Sequence, residues 1–532
     1  MIPGARTPEA PVGHRRAAWH HRPVIQAVLV LAASLLISWP LLGRAGFSGT
    51  EGHRCMPAFH MLDGGNWLVP HLFERPYLRK PPGMQWAIAG SSALLGRTEF
   101  AARAVSASAA TIAALACLWF GRRWFGPAGG LYAGLAHALM PVLWISARTA
   151  DIESLHNLGV LVACLSVVDL TLRERPSTGR DQAVMAAMVA VGMIVAGLAK
   201  GPSGATAMAG CLLAPIAVRR SLGPMANPAL LAGMAMAGIV LGAVYAMISH
   251  ATRMIPDEVV TQNVDDFLWK SGEWWRVLLL APTSLVMALP ASFALLFPWG
   301  PDAIAERHRE AARDHPLAFP AARTITIAVL LSLGMLTIAG VSNPRYTMPT
   351  QVLIAPVAGY LGLGLSGFFI RKRPAIARAM LLGHPAVSAA VLSVAALVTV
   401  GMWERWRTRV EGRGAGELIA SVVPPGSLLV ADHLVEARPD VLWYAQQRGH
   451  NLRAVWRGLN TSPRHSVDLD AYYILRDDTM TREVDRFMHL NPGEVFVERG
   501  AGSVYQFSFR VLTAAGERGR SEPEPPLATD TR

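Results

Sequence analysis

Ten ionisable or aromatic polar side chains lie within a few residues of the ends of long apolar segments in this chain. They are Glu51, His53, Arg54, Arg79, Lys80, Asp151, Glu153, Lys200, Arg345 and Tyr346. Charged groups are costly at such positions, so they indicate a candidate functional site. Guanidinium and ammonium groups hold a phosphate, while a carboxylate can remove a proton from a hydroxyl. The residue types therefore predict a site where a phosphate is held beside a general base.

The composition places these residues in a membrane protein. Of the 532 residues, 52% are apolar and only 16% are charged, whereas a soluble protein carries roughly a quarter charged residues. This balance excludes a cytosolic enzyme and a disordered or fibrous chain. The net charge is +12, but the basic residues form short clusters between apolar stretches, without the interleaved aromatic residues of a nucleic-acid surface. We therefore expect membrane lipids around the chain and no nucleic-acid partner.

About eleven apolar stretches are long enough to cross a hydrocarbon core. They lie near residues 24–43, 101–120, 127–147, 155–171, 184–199, 203–218, 228–248, 276–297, 324–342, 347–370 and 380–402. Arg and Lys clusters occupy every second loop together with the basic N-terminus, which is the positive-inside pattern. The sequence thus predicts a multi-pass protein of a bacterial inner membrane, with a cytoplasmic N-terminus and an extracytoplasmic C-terminus.

The loops and ends divide the chain further. The predicted parts are a basic cytoplasmic N-terminus at 1–23, a transmembrane domain at 24–403, an extracytoplasmic module at 404–510 and a disordered tail at 511–532. Within the first outer loop, 44–100, two short helices at 52–62 and 81–96 are expected to lie in the membrane interface. In the C-terminal module, strands are expected at 427–432 and 472–477 and helices at 415–422 and 480–489, which suggests a small α/β or α+β fold.

Motifs in the first outer loop carry a family resemblance. An acidic residue follows the first span, and then come Gly-Asn-Trp-Leu-Val-Pro (65–70), Pro-Tyr-x-x-Lys-Pro-Pro (76–82), Ala-Ala-Arg (101–103) and Gly-Arg-Arg (121–123). In this combination the chain resembles the bacterial aminoarabinose transferase and protein O-mannosyltransferase superfamily. The resemblance covers about the first 170 residues well and extends more weakly to residues 198–202 and 344–349.

The resemblance implies an all-α membrane fold of the GT-C glycosyltransferase type, with its active site at the outer face. It further implies a polyprenyl-phosphate-linked monosaccharide as donor and a hydroxyl or phosphate acceptor on lipid A, a protein or an envelope glycan. Two alternatives stay open. One is a transporter or flippase of a lipid-linked or anionic substrate, and the other is a family member that binds carrier lipid without catalysis.

The resemblance also assigns roles to the acidic residues. Glu51 takes the position of the catalytic base, and Asp151 that of a second acid which orients the sugar or the acceptor. Relatives commonly carry an Asp-Glu pair where this chain has Thr50-Glu51. The structural alternatives are a charge favourable to a helix dipole for Glu51 and a helix N-cap for Asp151.

The resemblance also implies that basic residues of the chain bind the phosphate of the donor. Lys80 matches the lysine that contacts the lipid phosphate in relatives, and Arg79 stands where relatives often carry a carboxylate. The remaining residues implied to contact the lipid phosphate, the sugar or the carrier lipid are His53, Arg54, Lys200, Arg345 and Tyr346. The alternative is that these side chains anchor the protein at the membrane interface.

No motif in the sequence indicates a cofactor, and a bound divalent cation stays an open alternative. His53, Cys55 and His60 lie close together but do not form a complete ligand set with zinc spacing. Three of the four cysteines lie inside apolar stretches, so we expect no disulfide framework.

Overall fold

The structure is a computed structural model. It describes residues 22–73, 75–173, 178–253, 255, 273–289, 291–292, 294–295, 315–361, 398, 400–407, 411–425, 427–431, 438–447, 471–476, 496–504 and 507–514.

The described chain is mainly helical. The longer helices up to residue 361 are α1 (Pro23–Ser38), α2 (Gly52–Leu62), α3 (Gly83–Leu95), α4 (Glu99–Leu139), α5 (Pro141–Ala147), α6 (Ile152–Leu172), α7 (Gly179–Lys200), α8 (Ala205–Arg219), α9 (Pro228–Thr252), α10 (Trp274–Met287) and α11 (Ala318–Ile338). A single turn, α12 (Met348–Gln351), follows, and short 3-10 helices cover Gly49–Glu51, Gly201–Gly204, Gly223–Ala226 and Pro344–Thr347.

Five helical stretches in the described residues are long and apolar enough to cross a membrane. They are Glu99–Leu139, Ile152–Leu172, Gly179–Arg219, Pro228–Thr252 and Ala318–Ile338. Helices α1 and α10 are apolar but shorter. The prediction of several apolar spans is thus confirmed, while the count of eleven stays a prediction, since residues 362–370 and nearly all of 380–402 lie outside the described residues.

Helix α4 reverses direction at one residue. Gly126 has φ of 71°, which breaks the helix, and Pro127 follows it. Across the break, a Cβ on Gly121 would lie 2.8 Å from the Cβ of Ala133, so the two arms pack tightly against each other. Glycine suits this position because it tolerates positive φ without steric cost. The sequence predicted two spans here, and the structure joins them by a sharp turn.

The first loop contains the two short helices that were expected. Helix α2 covers Gly52–Leu62 and α3 covers Gly83–Leu95. With 13 residues, α3 is about 20 Å long, too short to cross a hydrocarbon core. A two-residue antiparallel pair, β1 (His71–Leu72) and β2 (Arg75–Pro76), lies between them.

The C-terminal residues form a mixed four-stranded sheet. Its strands are β3 (Leu428–Ala431), β4 (Ala471–Arg476), β5 (Phe496–Val504) and β6 (Phe507–Ala514), in the order β3-β4-β6-β5. β3 pairs parallel with β4, and the other pairs are antiparallel. Two helices, α13 (Arg413–Val422) and α14 (Pro439–Gln447), belong to the same C-terminal part of the chain. β3 and β4 lie in the segments predicted as strands, β6 continues four residues beyond the expected end of the module, and the predicted helix at 480–489 lies outside the described residues.

Candidate active site

Glu51 lies in a buried cage of hydrogen-bond donors just before α2. Its Oε1 accepts hydrogen bonds from Arg103 Nε and Ala150 N, each at 2.8 Å. Its Oε2 accepts from Arg103 Nη2, Arg407 Nη2 and Ser48 N, each at 2.9 Å. The carboxylate is therefore saturated with donors, and its side chain is only 2% exposed.

Arg103 ties this cage to the membrane domain. It lies on α4 and is fully buried. Besides Glu51, its guanidinium donates to the carbonyl oxygens of Leu42, Ala45 and Gly46, each at 2.6 Å. All five N–H groups of the arginine are thus used, and the loop that leads to Glu51 wraps around them.

The two arginines set the charge state of Glu51. Burial acts to raise the pKa of this carboxyl, but the charges of Arg103 and Arg407 and the hydrogen bonds to it lower its pKa to about 2. Glu51 is therefore ionised at neutral pH, and its lone pairs are already engaged. A carboxylate in this state is a poor proton acceptor for a substrate hydroxyl.

Asp151 lies next to this cage at the start of α6. Its Oδ1 caps the helix by accepting from Ile152 N at 2.8 Å, and its Oδ2 accepts from Thr50 Oγ1 at 2.6 Å and from Arg345 Nη2. Arg54 Nε lies 3.6 Å from Oδ1. Burial opposes ionisation, but Arg345 and Arg54 hold the pKa of the Asp151 carboxyl well below its usual range. Asp151 is therefore the N-cap of α6, and it also contacts Arg345 and Arg54 of the candidate site.

Glu153 is a second carboxylate that pairs with basic side chains. It accepts from Arg345 at 2.5 Å (Nε to Oε1) and 2.8 Å (Nη2 to Oε2), and from Lys200 Nζ at 2.8 Å. Lys200 Nζ also lies 5.2 Å from the centre of the Tyr346 ring. Residues from the start of α6, the end of α7 and the 3-10 turn Pro344–Thr347 thus meet at one place.

Lys80 belongs to the same electrostatic environment. Burial and then the charges of Arg54 and Lys200 lower the pKa of Lys80 to about 8. Burial, Arg54 and Arg79 lower the pKa of His53 to about 3. His53 is therefore neutral at neutral pH, and its ring lies 5.8 Å from that of Tyr77, which accepts a hydrogen bond from Arg54 at 2.7 Å.

The structure brings the sequence-predicted residues together in two layers. Arg54 and Arg345 contact Asp151. Glu153 joins Arg345 to Lys200, and Lys200 lies against Tyr346. Lys80, Arg79 and His53 are close enough to these groups for their charges to interact. Glu51 lies in the layer behind, on the other side of the Thr50–Asp151 hydrogen bond.

Three residues of the inner layer carried no predicted role. Arg103 had a signal in the sequence, because an arginine within an apolar helix indicates function or a buried partner. Ser48 had one too, since Ser-Gly-Thr-Glu fits a capping box, which the structure contains. Arg407 is one of several basic residues in 405–409, and nothing in the sequence separates it from its neighbours.

The described residues contain no group of three or more His, Cys, Asp and Glu side chains arranged to hold a metal ion. In the candidate site, Asp151 and Glu153 both pair with arginine or lysine. Three cations, Arg54, Lys200 and Arg345, contact these two carboxylates. Lys80 and Arg79 lie close enough to the same group to interact with it electrostatically. This excess of positive charge suits an anionic ligand such as a phosphate.

Comparison with known families is consistent with this geometry. Residues 79–242 match the family model described as dolichyl-phosphate-mannose-protein mannosyltransferase. An undecaprenyl phosphate-alpha-4-amino-4-deoxy-L-arabinose arabinosyl transferase of Pectobacterium atrosepticum is 36% identical over 92 residues, 17% of this chain and 16% of that protein. The match thus spans about a sixth of that relative. The transferase of the same name from Pseudomonas aeruginosa is 24% identical over 65% of this chain and 60% of its own length.

Solved structures share the fold over nearly the whole chain. The apo structure of ArnT from Cupriavidus metallidurans has a TM-score of 0.66 at 17% identity, covering 91% of this chain and 97% of that one. The structure of the same protein bound to undecaprenyl phosphate has a TM-score of 0.63 at 18% identity, with coverages of 92% and 98%. The family match over residues 79–242, the curated relatives and this fold all support the similarity of the chain to the superfamily of bacterial aminoarabinose transferases and protein O-mannosyltransferases.

Proposed function

We propose that the chain is an integral membrane glycosyltransferase that moves a monosaccharide from a polyprenyl-phosphate donor to an acceptor. The observation that carries this proposal is the group of five cations, Arg54, Arg79, Lys80, Lys200 and Arg345, around Asp151 and Glu153. The names of the matched relatives, which are undecaprenyl-phosphate-dependent or dolichyl-phosphate-dependent transferases, support the same donor class.

The charge of the site fits the course of such a reaction. The acceptor oxygen attacks the anomeric carbon, and the bond between that carbon and the phosphate oxygen breaks. The electron pair stays on the phosphate, which changes from a monoanionic diester to a more negative monoester. An excess of cations stabilises this developing charge more than the ground state, which is how a preorganised site accelerates a reaction. In this proposal Lys80 and Arg345 contact the departing phosphate.

The two acidic residues receive different roles. Asp151 borders the cation cluster and is the carboxylate that orients the sugar or the acceptor. Glu51 is enclosed by Arg103 and Arg407, so we assign it to holding the loop that carries Thr50. Since both carboxyls have lowered pKa values, neither is a strong base at neutral pH. This favours an acceptor whose oxygen is already ionised, such as a phosphate group, over a neutral hydroxyl.

The proposed setting is the inner membrane of a bacterium, with the reaction at its outer face. The apolar helices support a multi-pass membrane protein, and the positive-inside pattern supports the orientation. A lipid-linked donor reaches such a site laterally from the bilayer. A panel of donors that carry different sugars determines whether the transferred sugar is a pentose or a hexose.

The experiment is transfer of labelled sugar in proteoliposomes, from a panel of synthetic polyprenyl-phosphate monosaccharides to phosphate-bearing and hydroxyl-bearing acceptors. Wild type is compared with Asp151→Asn and Lys80→Ala. Arg97→Gln is the matched control, because Arg97 is in the first loop but pairs with the exposed Asp63. We expect transfer by wild type and the control, and a loss of at least about a hundredfold in the other two variants.

Other outcomes decide against the proposal. Carrier-lipid binding without transfer by wild type, for every donor and acceptor, identifies a catalytically inactive family member. Movement of a labelled lipid donor across the bilayer without sugar transfer identifies a flippase instead.

A further inference from the structure

The loop that carries Thr50 and Glu51 is enclosed by the C-terminal segment, by which we mean the described residues from 400 onwards. Glycines on both sides of the pair permit this approach. A Cβ on Gly46 would lie 2.8 Å from Tyr444 Oη, and a Cβ on Gly52 would lie 2.8 Å from Asp440 N. Real Cβ contacts are not this short, so a larger residue at Gly52 must displace the backbone of helix α14, and one at Gly46 must displace the Tyr444 side chain.

Backbone hydrogen bonds hold the loop between these two glycines. Phe47 N donates to Tyr444 Oη at 2.7 Å, and Gly412 N donates to Phe47 O at 3.0 Å. Tyr444 in turn donates to Glu99 Oε1 at 2.6 Å, which also accepts from Arg413 at 2.7 Å. The backbone donor and acceptor of Phe47 are thus both held by the C-terminal segment.

Arg407 reaches further into the site. Its Nη2 lies 2.9 Å from Glu51 Oε2, and its Nη1 donates to Arg148 O at 2.6 Å. Arg148 precedes Asp151 by three residues and pairs with Glu404 at 2.6 Å, in a buried position. One buried guanidinium, whose side chain is 1% exposed, therefore bridges the two chain segments that bring Thr50 and Asp151 together.

From these contacts we infer that the C-terminal segment maintains the geometry of the site. Arg407 is a positioning residue: it holds Glu51 in place and, through Glu51, the Thr50–Asp151 pair. Arg407 contacts Glu51 and acts through it. The catalytic part of this inference rests on the proposed function, whereas the positioning part can be tested without any sugar transfer.

Cys55 provides a probe of the loop that is independent of activity. It lies on α2 four residues after Glu51 and is fully buried. Its rate of labelling by a membrane-impermeant maleimide, on protein in lipid nanodiscs, reports opening of the loop, and Cys55→Ser identifies its share of the label. The variants are Arg407→Gln and Arg407→Lys, with Arg405→Gln as control because that arginine is in the same segment but exposed.

We expect Arg407→Gln to speed Cys55 labelling at least about tenfold relative to wild type and control, since a buried carboxylate loses one of two charged partners. The pH dependence of thermal unfolding gives a second readout. The pKa of Glu51 is about 2 in wild type, so its contribution to stability is present at neutral pH and is lost only as the pH falls towards that value. Without Arg407 that pKa rises, and the contribution is smaller and is lost at a higher pH. Arg407→Lys keeps the charge and should keep the wild-type pH dependence.

The transfer assay completes the test. We expect Arg407→Gln to lower kcat about tenfold with little change in the donor KM, because Arg407 does not contact the donor. Labelling at the control rate with unchanged pH dependence overturns the inference, as does Arg407→Lys behaving like Arg407→Gln. If wild type transfers no sugar while the labelling results hold, the proposed function fails and the positioning role of Arg407 stands.

Discussion

Thr50 and Asp151 form a hydrogen bond that joins two distant parts of the site, with Thr50 Oγ1 2.6 Å from Asp151 Oδ2. The remaining neighbours of the Asp151 carboxylate that we described are Arg345, Arg54 and the backbone of Ile152. By the family resemblance drawn from the sequence, Thr50 corresponds to a position that is commonly an aspartate. A neutral hydroxyl there donates to Asp151, whereas a second carboxylate would repel it.

Replacing Thr50 by valine tests this relationship, because valine keeps the shape and removes the donor. We expect Thr50→Val to lower kcat about tenfold, which corresponds to the loss of one hydrogen bond to a charged group. Thr50→Ser keeps the hydroxyl and should stay within about threefold of wild type. Steady-state transfer kinetics with a saturating donor measure both. Wild-type kcat in Thr50→Val would show that the hydrogen bond does not serve the reaction.

The sequence was sufficient to predict those elements of the fold, and those residues of the site, that depend on local sequence pattern. The short helix α2, the second short helix α3 and the strands β3 and β4 follow from hydrophobic periodicity and turn residues. The charged residues at the ends of spans were recognisable because each is costly in a membrane unless it has a partner or a ligand.

The partners themselves could not be predicted. The family resemblance implies that Glu51 is a catalytic carboxylate, yet the residues that enclose it, Arg103 and Arg407, are 52 and 356 positions away. Long-range ion pairs depend on how helices pack, which no local pattern encodes. The same holds for Glu153, which holds Arg345 from 192 positions away.

The pKa of Lys80 predicts the alkaline limit of donor binding. Burial and neighbouring cations lower this pKa to about 8, so the ammonium is charged below that pH and loses its proton as the pH rises through it. We therefore expect the KM for the donor to rise above about pH 8, whereas kcat should fall only at a higher pH, because the phosphate of the bound donor raises the pKa of Lys80. A pH series of transfer kinetics measures this.

Lys80→Arg is the control for that series. Arginine stays protonated throughout the range, so the alkaline rise in KM should disappear even if the KM at neutral pH is somewhat higher. The same rise in Lys80→Arg as in wild type would assign the titration to another group.

Thermal unfolding separates the roles of Glu51 and Asp151. Glu51→Gln leaves Arg103 and Arg407 buried with no counter-charge from this side chain, and breaking such a buried pair costs about 3–5 kcal/mol. We expect a large fall in Tm for Glu51→Gln. Asp151→Asn borders the site, where Arg345 keeps Glu153 as a partner, so its Tm should fall less while transfer is lost.

Both variants are compared in the same detergent by differential scanning fluorimetry. If Glu51→Gln keeps the Tm of wild type and loses only activity, Glu51 acts directly on the substrate and the assignment to holding the loop is wrong.

Glu153 controls the position of two cations, and its replacement should separate binding from turnover. The carboxylate joins Lys200 and Arg345, so Glu153→Gln removes one negative charge from a site that already has an excess of cations. We expect the anionic donor to bind more tightly, lowering its KM about two- to fivefold, because the attraction to its phosphate increases. At the same time kcat should fall at least about tenfold, because the cations lose the geometry that favours the transition state over the ground state. Glu153→Asp keeps the charge and should keep the KM of wild type. A rise in KM for Glu153→Gln would mean that Glu153 contacts the donor directly, for example through a sugar hydroxyl, and that its contacts with the two cations are secondary.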